Sequence, residues 1–155
     1  LISQLLVICL DFSACVVQLI VNDDCLATRP QIRIVKMPKQ TILLIEDDDV
    51  LREILNEFLV ESGYLVLKAA DGLQGMEKIE KESFDLIVVD VVLPYVSGIG
   101  LIKMARAKFI DMPIICITGY GYSPEKLAEQ EHADYVLRKP FEFKELGEAI
   151  GNLCK

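Results

Sequence analysis

Short runs of branched apolar residues recur along this chain with amphipathic stretches between them, and that alternation limits its fold more than any other feature. Thr41–Ile45, Leu86–Val89 and Ile114–Ile117 are runs of four or five residues dominated by Ile, Leu and Val. Such runs suit strands buried on both faces, as in a parallel sheet covered by helices on each side. Tyr64–Lys68 and Tyr135–Leu137 read as two further strands. Between the first two, Leu51, Ile54, Leu55, Phe58 and Leu59 recur at helical spacing and make one apolar stripe, with Gly63 as the stop. A second helix is predicted near Leu73–Lys81 with Leu73, Met76 and Ile79 inward, and a third near Ile99–Lys108. Ser123-Pro124-Glu125 reads as the capped start of a short fourth helix reaching Glu131, and Glu142–Leu153 forms the last.

Five strands alternating with five helices imply parallel pairing through right-handed crossovers. The predicted fold is therefore α/β: a flavodoxin-like, doubly wound five-stranded parallel sheet of order 2-1-3-4-5 with five helices. A chain of 155 residues, 52% hydrophobic and 26% charged, is long enough to bury such a core.

The formal net charge is −8. In residues 1–36 the acids Asp11, Asp23 and Asp24 are matched by Arg29, Arg33 and Lys36, so the whole excess lies beyond them. A domain that acidic is expected to repel nucleic acid and anionic membrane, and its carboxylates form a cation site if they converge. Five cysteines without a C-x-x-C pair, and a single histidine, His132, give no zinc spacing; they read as reduced thiols of a cytoplasmic protein.

Leu1–Val21 is almost wholly apolar and long enough to span a bilayer, but Asp11 falls at its midpoint and no basic flank precedes it. Met37-Pro38-Lys39-Gln40 reads as a natural start. Residues 1–38 are therefore expected to be an extension outside the chemistry, with residues 39–155 the working domain. The competing reading is a membrane or partner-binding anchor.

In a doubly wound sheet, ligands bind beyond the carboxyl ends of the strands, near the switch in strand order. The first strand delivers Glu46, Asp47 and Asp48 there, the third Asp90, the fourth Thr118 and the fifth Lys139. Carboxylates gathered in this way repel one another unless a cation joins them. Oxygen ligands with room for water favour Mg²⁺. An acidic pocket with one lysine suits phosphoryl transfer in which a carboxylate in line attacks phosphorus. The block of acids after the first strand excludes a glycine-rich nucleotide cradle. Dehalogenase-type phosphatases carry a second Asp two residues after the first, and here that position is Val92.

From Lys39 to Lys155 these residues closely resemble the response-regulator receiver family of two-component signalling. Ile42-Leu43-Leu44-Ile45-Glu46-Asp47-Asp48, Asp85–Asp90 with Pro94 and Gly98, Thr118, and Lys139-Pro140-Phe141 carry the resemblance. It implies that Asp90 accepts the phosphoryl group, that Thr118 and Lys139 bind it, and that Lys139–Pro140 is cis. It also implies Mg²⁺ ligation by Asp47, Asp90 and the Val92 carbonyl, with Glu46 acting largely through metal-bound water. The implied partners are a histidine kinase or phosphotransfer protein as donor and a downstream protein target, the domain being a monomer or weak dimer and not an enzyme in its own right. A stand-alone receiver is expected, acting by docking or relay. The alternatives are a fragment of a longer protein, a non-phosphorylated pseudo-receiver used as an interaction module and, last, a Mg²⁺-dependent phosphatase of small substrates.

The chain departs from the family pattern in two respects. The aromatic residue usual three places before the lysine is Val136, while Tyr135, on the opposite face, is expected to pack in the core. The places two after Asp90 and two after Thr118 are Val92 and Tyr120, which lack a carboxylate or amide to orient an attacking water. Slow loss of the acyl phosphate is the expected consequence.

Overall fold

The computed structural model describes residues 7–9, 15–20, 31–36, 40–119 and 133–154. The chain divides into two compact units, Leu1–Lys39 and Gln40–Lys155. The first contains a three-stranded antiparallel sheet of β1 (Val7–Cys9), β2 (Cys15–Ile20) and β3 (Gln31–Lys36) in that order. Its hairpin registers pair Ile8 with Val17 and Val17 with Ile34. The apolar segment considered as a possible membrane anchor thus contributes two strands, and no described helix is long and apolar enough to cross a membrane.

The second unit is built from β4 (Thr41–Ile45), α1 (Asp49–Glu61), β5 (Leu65–Ala69), α2 (Gly72–Lys81), β6 (Leu86–Asp90), α3 (Gly98–Lys108), β7 (Ile114–Thr118), β8 (Tyr135–Arg138) and α4 (Phe143–Leu153). The sheet is wholly parallel with order β5-β4-β6-β7-β8. Counted within this unit the order is 2-1-3-4-5, as expected. Four helices are described; the helix expected near residues 123–131 lies outside the described residues.

All five residues of β6 and of β7 are buried, because successive side chains serve opposite layers. Leu43, Ile45, Ile87, Val89, Ile114 and Cys116 pack on one side with Ile79 of α2 and Leu101, Ile102 and Ala105 of α3. Ile42, Leu44, Leu86, Val88, Ile115 and Ile117 pack on the other with Leu55 and Leu59 of α1 and Leu146, Ala149 and Ile150 of α4. The central strands therefore have no polar positions along their length, which displaces polar function to their ends.

Three packing expectations are corrected. Ile54 was expected in the α1 stripe but is 41% exposed; Leu55 and Leu59 carry the buried face, flanked by Leu51 and Phe58. Leu73 is 47% exposed, and α2 buries Gly72 and Gly75 in its place. The helix lies so close to its neighbours that a Cβ at Gly75 would come within 2.9 Å of Leu101 Cδ1 and 3.0 Å of Ile45 Cδ1. Tyr135 is 37% exposed and does not fill the core. It shares the face of buried Leu137 but stands at the outer end of an edge strand, while Val136 packs against the α2–α3 layer.

Cys116 is fully buried, and burial, reinforced by the charge of Asp90, pushes its thiol up to about 12. Thiolate is the reactive form, so at pH 8 roughly one molecule in ten thousand carries it in the folded state. Cys116 is expected to resist iodoacetamide in native protein and to label fully in urea. Peptide mass spectrometry reads both, and native labelling comparable to that in urea would contradict the packing.

Candidate functional site

Among the described residues only Glu46, Asp90 and Thr118 are polar or charged and buried, at 1%, 5% and 0% exposure. Each ends or directly follows one of three adjacent strands, β4, β6 and β7. Parallel register makes this convergence unavoidable. β4 pairs Ile45 with Val89, and β6 pairs Asp90 with Ile117, so the strand ends finish level. Beyond the last rungs the backbone keeps pairing, Glu46 N to Ala69 O (3.2 Å) and Lys139 N to Thr118 O (2.8 Å).

Ligand atoms of Glu46, Asp47 and Asp90 lie within 4.8 Å of one another, with Asp47 exposed and the other two buried. Lys139 reaches over from the end of β8. Its Nζ donates to Glu46 Oε2 at 3.0 Å and Oε1 at 3.2 Å, and also to Asp90 Oδ2. The Lys139–Pro140 peptide is cis. Burial raises the pKa of Glu46, with the charge of Asp90 adding to it and Lys139 opposing. Burial pulls Lys139 down, but its hydrogen bonds to Asp90 and Glu46 outweigh that and hold it raised, so the ammonium stays charged at neutral pH.

The other oxygen of Asp90 is held by its own loop: Val92 N donates to Asp90 Oδ1 at 2.8 Å. Val92 is thus tied to Asp90 through its N–H, and its side chain is 59% exposed. Thr118 Oγ1 donates to the Gly119 carbonyl at 3.3 Å. All the residues singled out from the sequence, Glu46, Asp47, Asp90, Val92, Thr118 and Lys139, therefore stand at one sheet edge. Asp48 is the exception among the acids. It is the N-cap of α1, its Oδ1 accepting from Val50 N (2.9 Å) and Leu51 N (3.0 Å).

Two contributors escaped the sequence reading. Arg52, one turn into α1, donates to the Glu46 carbonyl at 2.8 Å and to Asp49. Gly98, named above only as part of the family resemblance, opens α3 directly under the phosphoacceptor candidate. A Cβ there would lie 1.9 Å from the Asp90 carbonyl oxygen. Its glycine identity could be noticed in the sequence, but the close approach could not.

A family model for the response regulator receiver domain matches residues 42–151. The chain belongs to the response regulator receiver family. Receivers are signalling modules, and this one is similar to several named regulators. It is 37% identical over 115 residues to the probable transcriptional regulatory protein SilR of Salmonella typhimurium, covering 74% of this chain and 50% of that one. It is 32% identical to the probable transcriptional regulator ycf29 of Porphyra purpurea, covering 72% and 55% respectively. Among solved structures, a CheY-like receiver from Methanospirillum hungatei superposes with a TM-score of 0.70 at 30% identity, covering 74% of this chain and 93% of that one. The Thermotoga maritima regulator TrrA, solved in complex with Mg²⁺-BeF, gives 0.66 at 32%, covering 74% and 98%. The chain spans about half the length of the curated relatives it matches. Those relatives are named transcriptional regulators, so the expectation of a receiver working alone and away from nucleic acid finds no support among them.

Gly98→Ala is expected to destabilise the receiver by about 2 kcal/mol or more, since overfilling a packed contact costs about 1–3 kcal/mol and here the contact is backbone. Urea unfolding followed by circular dichroism measures it; a change below ~0.5 kcal/mol would mean that the loop relaxes freely.

Proposed function

We propose that this receiver takes a phosphoryl group onto Asp90 from a phosphohistidine of a histidine kinase or phosphotransfer protein, in a Mg²⁺-dependent reaction in the cytoplasm. The observation that carries the reading is the burial of Glu46 and Asp90 at one strand-end cluster, both bonded to Lys139. Burying carboxylates is costly even where an ammonium offsets part of it, and such clusters are favoured at functional sites. Glu46, Asp47 and Asp90 with Lys139 leave a formal charge of −2, which suits one divalent cation. Three carboxylate oxygens within reach of one another form the hard donor set that Mg²⁺ prefers. Asp47 and Asp90 would hold the ion together with the Val92 carbonyl, with Glu46 acting mainly through its water. When bound, Mg²⁺ supplies positive charge against the oxygens of the transferring group.

The protein's own groups do the rest. An Asp90 carboxylate oxygen forms the new P–O bond as the P–N bond to the donor imidazole breaks, and the imidazole keeps the electron pair and takes up a proton. The Val92 N–H on Oδ1 orients the carboxylate. Lys139, already on Oδ2, turns its ammonium to a phosphoryl oxygen. The Thr118 hydroxyl, buried beside it, exchanges its Gly119 partner for another. Output then passes to a downstream protein target through docking, by relay, or through a further domain of a longer protein.

Acetyl phosphate with Mg²⁺ is expected to add one phosphoryl group to the wild type and none to Asp90→Asn, read by intact mass. No adduct on the wild type would favour a pseudo-receiver that serves only as an interaction module. After removal of the donor the adduct is expected to persist for minutes or longer, because Val92 and Tyr120 carry no carboxylate or amide to orient an attacking water. Loss within seconds would overturn that.

Lys139 bonds the same carboxylates that would hold the metal. Lys139→Met is therefore expected to tighten Mg²⁺ binding roughly tenfold, about 1.4 kcal/mol, while slowing phosphorylation. Isothermal calorimetry against Mg²⁺ checks the first part, and weaker binding in the variant would refute the competition.

A further inference from the structure

Four consecutive acids, Glu46 to Asp49, turn the chain from β4 into α1. Like charges at this spacing push the turn apart, at about 1 kcal/mol per pair 4 Å apart in water and more where water is excluded. Three of the four are restrained by named contacts. Glu46 is bonded to Lys139, Asp48 is spent on the cap of α1, and Asp49 is bonded to Arg52. Asp47, exposed and part of the carboxylate trio, has no such contact among the described residues, which leaves the backbone on either side to place it.

Arg52 sets that backbone. Its Nη1 donates to the Glu46 carbonyl at 2.8 Å, its Nη2 pairs with Asp49 Oδ1, and its own N–H bonds to Asp48 O at 2.8 Å. One side chain thus ties the residue before Asp47 to a residue after it. The guanidinium side chain is only 12% exposed although its Asp49 partner is 85% exposed. An ordinary surface ion pair leaves both partners in water. A planar fork with several fixed donors suits this bridging role in a way that a lysine ammonium does not.

We propose that Arg52 is a positioning residue for the metal-binding turn: by clamping Glu46 to Asp49 it presents the Asp47 carboxylate to the cation. The inference rests on the Mg²⁺-dependent reading above. It has a distinctive sign. Were Arg52 only a nearby positive charge, its removal would tighten binding of a cation. Were it only a helix clip, its removal would lower stability and leave affinity unchanged. A clamp predicts weaker binding in a folded protein.

The test measures Mg²⁺ affinity by isothermal calorimetry for wild type, Arg52→Ala, Arg52→Lys and Arg52→Gln, at a temperature where circular dichroism shows each variant folded. Arg52→Ala is expected to bind Mg²⁺ about five- to tenfold more weakly. Arg52→Gln loses the charge and, two atoms shorter than the arginine, ends short of the Glu46 carbonyl, so it is expected to bind as weakly as Arg52→Ala. Arg52→Lys keeps the charge and one donor group but not the fork that bridges two partners, and is expected to recover only part of the loss. Unchanged or tighter binding in Arg52→Ala overturns the proposal, as does full rescue by Lys. If Arg52→Ala does not fold, Arg52→Lys decides, wild-type affinity overturning the proposal and weaker binding supporting it. Absence of Mg²⁺ binding by the wild type itself would instead strike the functional reading on which the inference rests.

Discussion

Two buried carboxylates share one ammonium at the carboxyl edge of this sheet, and much of the receiver's architecture serves to keep them there. Glu46 and Asp90 lie almost out of water, and charges so placed carry several kcal/mol of desolvation each unless paired and hydrogen-bonded. Lys139 offsets part of that by bonding both. It does not neutralise the set, because Asp47 joins the same cluster. A fold aimed only at stability would fill this edge with apolar side chains. The residual negative charge is what makes the edge chemically useful.

The sheet makes this arrangement possible by its two-sided burial. Alternate residues of β6 and β7 face the α2–α3 layer and the α1–α4 layer, leaving no polar position in either strand before its last residue. The rigid central strands then hold their last residues in fixed register. Asp90 and Thr118 come to rest a strand apart with no loop to place them. Gly98 completes the support by letting the start of α3 come against the Asp90 carbonyl. The site is precise because its residues end strands whose positions the core has already decided.

This explains which parts were legible in the sequence. Branched apolar runs encode doubly buried strands directly, and a strand's end is countable, so Glu46, Asp47, Asp90, Thr118 and Lys139 could be found by position alone. Side-chain period within helices is a weaker guide. Ile54 and Leu73 fit the apolar spacing yet face water, because the width of contact is set by the approach of the sheet, and at α2 that approach is close enough to admit Gly75. Asp48 looked like a third site acid, but an acid at a helix start has a local use as a cap that spacing cannot distinguish. Arg52 was missed since its bond runs to a main-chain carbonyl six residues back, and no side-chain pattern records a carbonyl. In the first unit, apolar content left a membrane anchor as the competing reading of Leu1–Val21, because hydropathy alone does not distinguish a span from paired antiparallel strands.

The route from the site to the rest of the domain is constrained by the same register. Ile114, Cys116 and Thr118 alternate onto one face of β7, and Val136 pairs with Cys116 and packs into that layer. Receivers of the usual pattern carry an aromatic ring where Val136 stands, and a ring can swing between a buried and an exposed setting. Valine has one stiff torsion and nothing to swing. Tyr135 cannot substitute, since it faces the opposite layer with Leu137. Among the described residues, Lys139 connects the site to β8 twice, by its side-chain bonds to Glu46 and Asp90 and by its N–H on Thr118 O, which joins it to the hydroxyl-bearing end of β7. The Lys139 N–H on Thr118 O thus ties the ends of β7 and β8 together beside the carboxylate cluster, a link made by backbone and not by a movable ring.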